Sequence, residues 1–274
     1  MRLRAALEGS SVGALSLYLY RQLRDTLNNR LARPRWTPHG FALGGCAAMQ
    51  AESFEPDLVE CMRGLIAGAD VLVDVGANVG FYACLARSLG RRVVAIEPHP
   101  TNVRMLLQNL RSNSWEDVEV FPVGLGASAG MTTIFGGGTG ASLRQGWDGL
   151  SPRFDRQLIP LSTLDTITGD RFPGQRLLIK IDVEGWEHDV LAGAARTLAL
   201  QPAPRWIVEI CLDEHFSEGI NPSFRRVFDV FWNAGYEART ADPTGRRVTE
   251  GDVERWVANG RRDFGSPNYL FTRQ

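Results

Sequence analysis

Four carboxylates stand at the ends of short apolar runs, and that placement gives the chain its chemistry. Asp74 lies in Val71-Leu72-Val73-Asp74-Val75, Glu97 closes Val93-Val94-Ala95-Ile96, Asp182 follows Leu177-Leu178-Ile179-Lys180-Ile181, and Glu209 closes Trp206-Ile207-Val208. A carboxylate beside a buried strand is costly unless it meets a partner or a ligand. Four at equivalent places point to a shared polar site. Between the first two lies the turn Gly76-Ala77-Asn78-Val79-Gly80. There Gly76 allows a tight bend and a close approach, and Gly80 allows a helix to pack near the strand. Glu97, at the second strand's tip, is placed to accept hydrogen bonds from ribose hydroxyls.

The turn also selects among nucleosides. A dinucleotide fingerprint needs a glycine where Asn78 stands, so that pyrophosphate can approach the backbone. A side chain there favours a nucleoside without pyrophosphate, such as S-adenosylmethionine, over a nicotinamide cofactor. No Gly-Lys-Ser/Thr follows the turn, which excludes a Walker phosphate loop. Proton-transfer candidates gather after the fourth and fifth strands: Asp182, Glu184, Glu209 and His215, with Lys180 on the same strand as Asp182. Lys180 is expected to pair with a carboxylate. Glu184 is open to a second reading as a cap for the next helix, with Gly185 making the turn. His188 is expected to face solvent, and His99, beside the ribose site, could brush the adenosine, though a bland role is the favoured reading. Asp182, Glu184, Glu209 and His215 could offer magnesium a set of ligands, but their spacing is not diagnostic and no metal is predicted.

These residues need a scaffold that brings strand ends together. Apolar runs alternate with helical patterns: strands at Val71–Val75, Arg92–Ile96, Val118–Val123, Leu177–Ile181 and Trp206–Ile210, and helices at Asp57–Ala67, Phe81–Leu89, Thr101 or Asn102 to Arg111, Trp186–Leu198 and Ser223–Ala234. Two further strands are expected at Tyr236–Thr240 and Tyr269–Thr272. This is the pattern of a doubly wound α/β domain with a parallel sheet, whose ligands bind beyond the carboxyl ends of the strands. Gly124 to Arg153 breaks the alternation. It is long for a plain loop, so it reads as an insertion or a functional flap, with Met131–Phe135 as one strand of a hairpin. Trp147 within it could stack on an acceptor ring.

At 274 residues the chain suits one large domain with a modest extension, and its 44% hydrophobic and 22% charged residues are ordinary for a globular protein. A formal net charge of -1 lacks the basic surplus of a nucleic-acid binder. The four cysteines form no C-x-x-C pair. Cys84 and Cys211 read as buried thiols, which fits a reducing compartment, and the expected location is cytoplasmic. Ser11 to Leu31 is expected to form an amphipathic helix serving as a lid or packing element. Its apolar stretch falls short of the ~20 residues of a spanning helix, and weak membrane-surface contact through its arginines is the lesser reading. Residues 1–53 are thus expected to form an N-terminal extension and 54–274 the catalytic domain.

Taken in order, Asp74-Val75-Gly76-Ala77-Asn78-Val79-Gly80, Ala95-Ile96-Glu97-Pro98, Ser162-Thr163-Leu164-Asp165, Lys180-Ile181-Asp182-Val183-Glu184-Gly185, Glu187, Val190-Leu191-Ala192-Gly193-Ala194 and Ile207-Val208-Glu209-Ile210 resemble the FkbM-type methyltransferases, over about Glu55 to Tyr236. The resemblance implies the class I methyltransferase (Rossmann-like) fold, a seven-stranded, mostly parallel sheet with an antiparallel last strand. It implies S-adenosylmethionine as donor and O-methylation of a sugar, glycan or natural-product small molecule. Carried over by position, Asp74, Gly76 and Asn78 would line the methionine half of the donor and Glu97 would hold its ribose. Ala77, Gly80, Pro98, Gly124 and Asp182 complete the expected donor site. Relatives of this fold often read adenine with an acid after the third strand. Here Val123-Gly124-Leu125-Gly126 offers none, so backbone groups take that role. The alternatives are methylation of protein or nucleic acid, disfavoured by the missing basic surplus and N-P-P-Y-type loop, and a silent donor-binding interaction subunit.

Overall fold

A computed structural model describes residues 33–45, 47–51, 53–136, 140–144, 156–214, 216 and 219–273. The expected helix Ser11–Leu31, Trp147 and His215 lie outside these residues.

The chain enters through a small hairpin, β1 (Arg35–Trp36) and β2 (Ala42–Leu43), and then helix α1 (Pro56–Ala67). The alternation follows: β3 (Val71–Val75), α2 (Phe81–Ser88), β4 (Arg92–Ile96), α3 (Pro100–Ser112) and β5 (Glu119–Phe121). Three strands then form a separate sheet: β6 (Gly124–Leu125), β7 (Gly130–Phe135) and β8 (Arg156–Ser162). After α4 (Leu164–Thr168) the main sheet resumes with β9 (Leu177–Ile181), α5 (Glu187–Ala192), α6 (Ala195–Leu198), β10 (Arg205–Glu209), α7 (Phe224–Asn233), β11 (Glu237–Thr240), β12 (Arg247–Val248), α8 (Glu250–Asn259) and β13 (Asn268–Thr272).

The main sheet runs β12-β11-β13-β10-β9-β3-β4-β5. Strands β5, β4, β3, β9 and β10 are mutually parallel, and β13 is antiparallel to both its neighbours. This is the expected seven-stranded sheet with a reversed last strand, plus the two-residue β12 at its edge. Every residue of β3 and β9 is buried, as central parallel strands covered on both faces require. From β3 the chain winds outward to β4 and β5, then returns to β9 on the other side of β3. That reversal places the ligand crevice at the carboxyl ends of β3 and β9.

Several boundaries differ from the sequence reading. The third strand stops at Phe121 instead of Val123 because Pro122 has no N–H for the ladder, and Gly124–Leu125 joins the second sheet beside β8. The helix read over Trp186–Leu198 is two helices, broken at Gly193. The Gly193 backbone lies so close to the Gly126 carbonyl that a side chain there would collide with it. The break frees the start of α6 for Asp165, whose carboxylate accepts from the Arg196 and Thr197 N–H groups at 2.9 and 2.8 Å. Helix α3 starts at Pro100 with His99 as N-cap, two or three positions earlier than a Thr101 or Asn102 cap would allow. The proline is pre-shaped for the first helical position. The described part of the N-terminal extension packs into the core: Phe41 and Leu43 are fully buried, and Asn109 on α3 bonds the Gly44 N–H and carbonyl at 2.7 and 3.0 Å. Cys84 and Cys211 are buried free thiols.

Candidate active site at the carboxyl ends of the central strands

A cavity opens at the switch point, at the carboxyl ends of β3, β4 and β9. Its floor is the tips of β3, β4 and β9: Val75, Gly76, Asn78, Ile96, Glu97, Pro98, Asp182 and Val183. Its other wall comes from the second sheet and the segment after it, through Gly124, Leu125, Ile134, Ala141 and Leu143. One end is polar, around Glu97 and Asn102. Another carries Asp182 and Glu184, and Val123, Leu125 and Ile134 add apolar walls.

Gly76 holds the floor together. Its φ is +82°, and a β-carbon on it would strike the carbonyl oxygen of Asp182. The glycine therefore also lets β3 and β9 close on each other, while it lines the cavity. The ladder runs on past the strands: the Gly76 and Ala77 N–H groups both donate to the Ile96 carbonyl, and Asp182 N–H donates to that of Val75. Gly80 (φ +91°) is the N-cap of α2 and faces Leu106 of α3. Ala77 is buried in the apolar cluster beneath. Ala77, Gly80 and Asp74 do not reach the cavity wall, whereas Gly76, Asn78, Glu97, Pro98, Gly124 and Asp182 do.

Glu97 is only 4% exposed. Its Oε2 accepts from the Asn78 N–H at 2.9 Å, and its Oε1 accepts from the His99 N–H at 2.8 Å and from Asn102 Nδ2 at 3.2 Å. Burial nevertheless pushes its carboxyl up to about 7, against the pull of these three donors. Asn102 was missed as a site residue. Its signal was its spacing: two prolines after Glu97 start a helix whose first turn carries Asn102 back to the strand tip. Asn78 itself is left-handed (φ +53°), and its Oδ1 is buried with no hydrogen-bond partner. An orphaned acceptor of this kind costs ~1–3 kcal/mol, which a ligand donor would recover.

The acid group at β9 and β10 is tightly knit. Lys180 Nζ lies 2.8 Å from Asp182 Oδ2 and is 3% exposed. Asp182 and Glu209 share a side-chain hydrogen bond. The charge on Asp182, then burial, pushes Glu209 well above the carboxylate range. Burial opposes ionisation of Asp182 too, but Lys180 and the hydrogen bonds from Glu209 and Lys180 keep its carboxyl below its usual value. The two carboxyls thus titrate as a pair, with Asp182 the member that ionises more readily.

Behind them, out of the cavity, lie partners that the sequence did not announce. Lys180 Nζ sits 4.8 Å from the centroid of the Tyr82 ring, and Tyr82 donates to Glu55 Oε2 at 2.7 Å. Asp74 joins this buried group, with both oxygens lacking a hydrogen-bond partner. Burial pushes it up to about 6, against the pull of Lys180.

Glu184 is not a helix cap. It is left-handed (φ +55°) and lines the cavity, while its carbonyl accepts from Ser142 Oγ at 2.7 Å. Glu187, the first residue of α5, accepts from the Gly185 N–H at 2.9 Å, ahead of the helix, and is pushed up to about 7 by burial. His99 is buried, with Nδ1 unpartnered, and burial lowers its pKa. His188 is half-buried. Among the described residues no group of three or more His, Cys, Asp or Glu is arranged to hold a metal ion, and no helix is long and apolar enough to cross a membrane.

Comparison with known proteins agrees with this geometry. The family model "Methyltransferase FkbM domain" matches residues 74–238, more than half of the chain. Hexuronic acid methyltransferase AglP of Haloferax volcanii is 31% identical over 168 residues, which cover 57% of this chain and 62% of that protein. The chain thus spans about three-fifths of the length of this curated relative. Among solved structures the chain is similar to the O-methyltransferase from Bacillus cereus in complex with SAH (16% identity, 78% of each chain, TM-score 0.42). It is also similar to the M. jannaschii tRNA m1G37 methyltransferase (13% identity, 89% of this chain and 56% of that one, TM-score 0.42). With its class I methyltransferase fold and a family match that takes in both Asp74 and Glu209, the chain belongs to the FkbM methyltransferase family.

Proposed function

We propose that the chain transfers a methyl group from S-adenosylmethionine to a hydroxyl oxygen of a sugar or glycan. The observation that carries the reading is the pair of features facing each other across the cavity. On one side Glu97 and the unpartnered Asn78 Oδ1 await hydroxyl or amino donors, and on the other stands Asp182, the more readily ionised of its pair. Asn78 stands where a dinucleotide turn has a glycine, which favours a donor without pyrophosphate.

In this reading Glu97 accepts from the ribose hydroxyls, and the apolar walls Ile96, Val123 and Leu125 sandwich the base. Asn78 and the Gly76 turn border the amino-acid end. The donor, when bound, supplies a methyl group already activated on a sulfonium. Asp182 accepts a hydrogen bond from the acceptor hydroxyl and so aims its lone pair. Alignment of this kind supplies ~7–11 kcal/mol in well-oriented systems. As the new C–O bond forms and the C–S bond breaks, the hydroxyl becomes strongly acidic, so even a carboxylate of low basicity can take its proton. Lys180 and Glu209 hold Asp182 in that role. Glu184 borders the acceptor side, and His215, in the loop beyond β10, stays a candidate there. A sugar acceptor is favoured by the hexuronic acid methyltransferase among the relatives.

Calorimetric titration with S-adenosylmethionine, S-adenosylhomocysteine and NAD tests the donor: the first two should bind, and Glu97→Ala should weaken both. Tight NAD binding would overturn the donor assignment. Incubation with labelled donor and a panel of sugars, phenols and amines tests the acceptor, and transfer to amines alone would defeat the oxygen claim.

A further inference from the structure

Arg144 stands out among the arginines around the site. Its neighbours Ala141 and Leu143 line the cavity, and Ser142 ties the segment down by donating to the Glu184 carbonyl and accepting from the Arg144 N–H at 2.9 Å. The Arg144 guanidinium is half-buried and lies over the Phe216 ring, with Cζ 4.6 Å from its centroid. Phe216 belongs to the turn after β10, where its N–H bonds the Asp213 carbonyl. The contact therefore joins the segment after β7 to the segment after β10, the strand that carries Glu209. Among the described residues Arg144 has no carboxylate partner. Arg262, which reaches the same β10 loop, is paired with Glu214.

We infer that Arg144 is a carboxylate-recognising subsite that selects an acidic acceptor, a hydroxylated sugar acid, at the mouth of this cavity. The inference rests on the methyltransferase reading of the site. A guanidinium stacked face-on against an aromatic ring keeps its edge N–H groups free, and that edge matches a carboxylate bidentately. Asp182 and Glu184 both line the cavity, and Lys180 already pairs with Asp182, so Arg144 offers a further positive charge to an anionic acceptor. A neutral sugar gains nothing from Arg144.

The test is calorimetric titration of phenyl β-D-glucuronide and phenyl β-D-glucoside, which differ only in a carboxylate against a hydroxymethyl group. Each is titrated into the protein saturated with S-adenosylhomocysteine and into the protein alone. The wild type should bind the glucuronide about tenfold or more tighter, the scale of one charge-assisted pair. Arg144→Gln should erase the difference, and Arg144→Lys should keep part of it. S-adenosylhomocysteine affinity should stay unchanged in both, which also reports their folding. Phe216→Leu, which keeps the charge and removes its platform, should narrow the difference. Equal affinities in the wild type, a preference that survives Arg144→Gln, or no binding of either glycoside would overturn the inference. So would an Arg144→Gln variant that weakens both glycosides and S-adenosylhomocysteine alike, the signature of a simple flap clasp. Absence of S-adenosylhomocysteine binding with the glucuronide preference intact would instead count against the donor reading alone.

Discussion

Asp74 and Lys180 are register partners on adjacent parallel strands, β3 and β9, at the centre of the sheet. Their side chains leave the sheet on the same face, into a region that is fully buried. Lys180 is thus the counter-charge for two acids at once, Asp74 beside it and Asp182 two residues on. Removing it leaves buried carboxylates uncompensated, which costs about 3–5 kcal/mol. Lys180→Met should lower stability by that amount in urea denaturation. Adding Asp74→Asn should restore part of it, because one of the stranded charges is gone. Equal stability of Lys180→Met and the wild type would show that the cluster holds no net charge to compensate.

Glu97 sets a pH dependence. Its folded-state pKa, about 7, lies above the usual glutamate value near 4.5. Without a ligand, the unfolded chain releases this proton first as pH rises, so Glu97 makes the fold less stable from about pH 4.5 to 7 and contributes no further change above. Hydroxyl donors from a ligand favour the ionised form. S-adenosylhomocysteine affinity should therefore climb as pH rises from 6 to 8, by at most about tenfold per unit below 7. Calorimetry of Glu97→Gln should show a flat profile over the same range. An unchanged slope in that variant would assign the titration elsewhere, Glu187 being the next group pushed up to about 7.

The two turn glycines should differ in cost. A methyl on Gly76 meets the Asp182 backbone, which cannot yield without parting β3 from β9, and its φ is left-handed. Overpacking adds ~1–3 kcal/mol and the left-handed conformation ~1–2. Gly76→Ala should lose about 2–5 kcal/mol in thermal or urea unfolding, together with donor binding. A methyl on Gly80 meets the end of the Leu106 side chain, which can rotate away. Gly80→Ala should cost less and leave donor affinity closer to wild type.

Asp182→Asn should cut methyl transfer by about 10²–10⁴-fold, the usual contribution of a positioned base, while S-adenosylhomocysteine still binds. Glu209→Gln keeps a hydrogen-bond donor to Asp182 and should be milder. Single-turnover rates with labelled donor read both variants. If Asp182→Asn transfers at the wild-type rate, the base lies elsewhere, with Glu184 and His215 the remaining candidates.

Much of this architecture was legible because it rests on local chemistry. Buried parallel strands must be apolar throughout, so Val71–Val75 and Leu177–Ile181 announced themselves, and the acids at their ends stood out. Asn78 in place of a glycine already spoke against pyrophosphate. Less legible were features whose cause lies far along the chain. Pro122 ended a strand that hydrophobicity alone would extend, and Gly193 broke a helix because of a distant Gly126 carbonyl. Glu184 took a left-handed turn, and α5 starts with no side-chain cap bond.

The sequence by itself determined the layers of the fold, the family, and the roster of acids at the strand tips, since each follows from residue type and spacing over a few positions. Tertiary structure decided which acids share a charge. Strand register set Asp74 against Lys180, and the contact of β9 with β10 put Glu209 beside Asp182, splitting their proton affinities. It also decided that Asp74 faces the buried cluster while Glu97 faces the cavity. The physical reason is that proton affinity and ligand access depend on burial and on the nearest charge, and both are set by separate strands, 106 residues apart for Asp74 and Lys180 and 27 for Asp182 and Glu209.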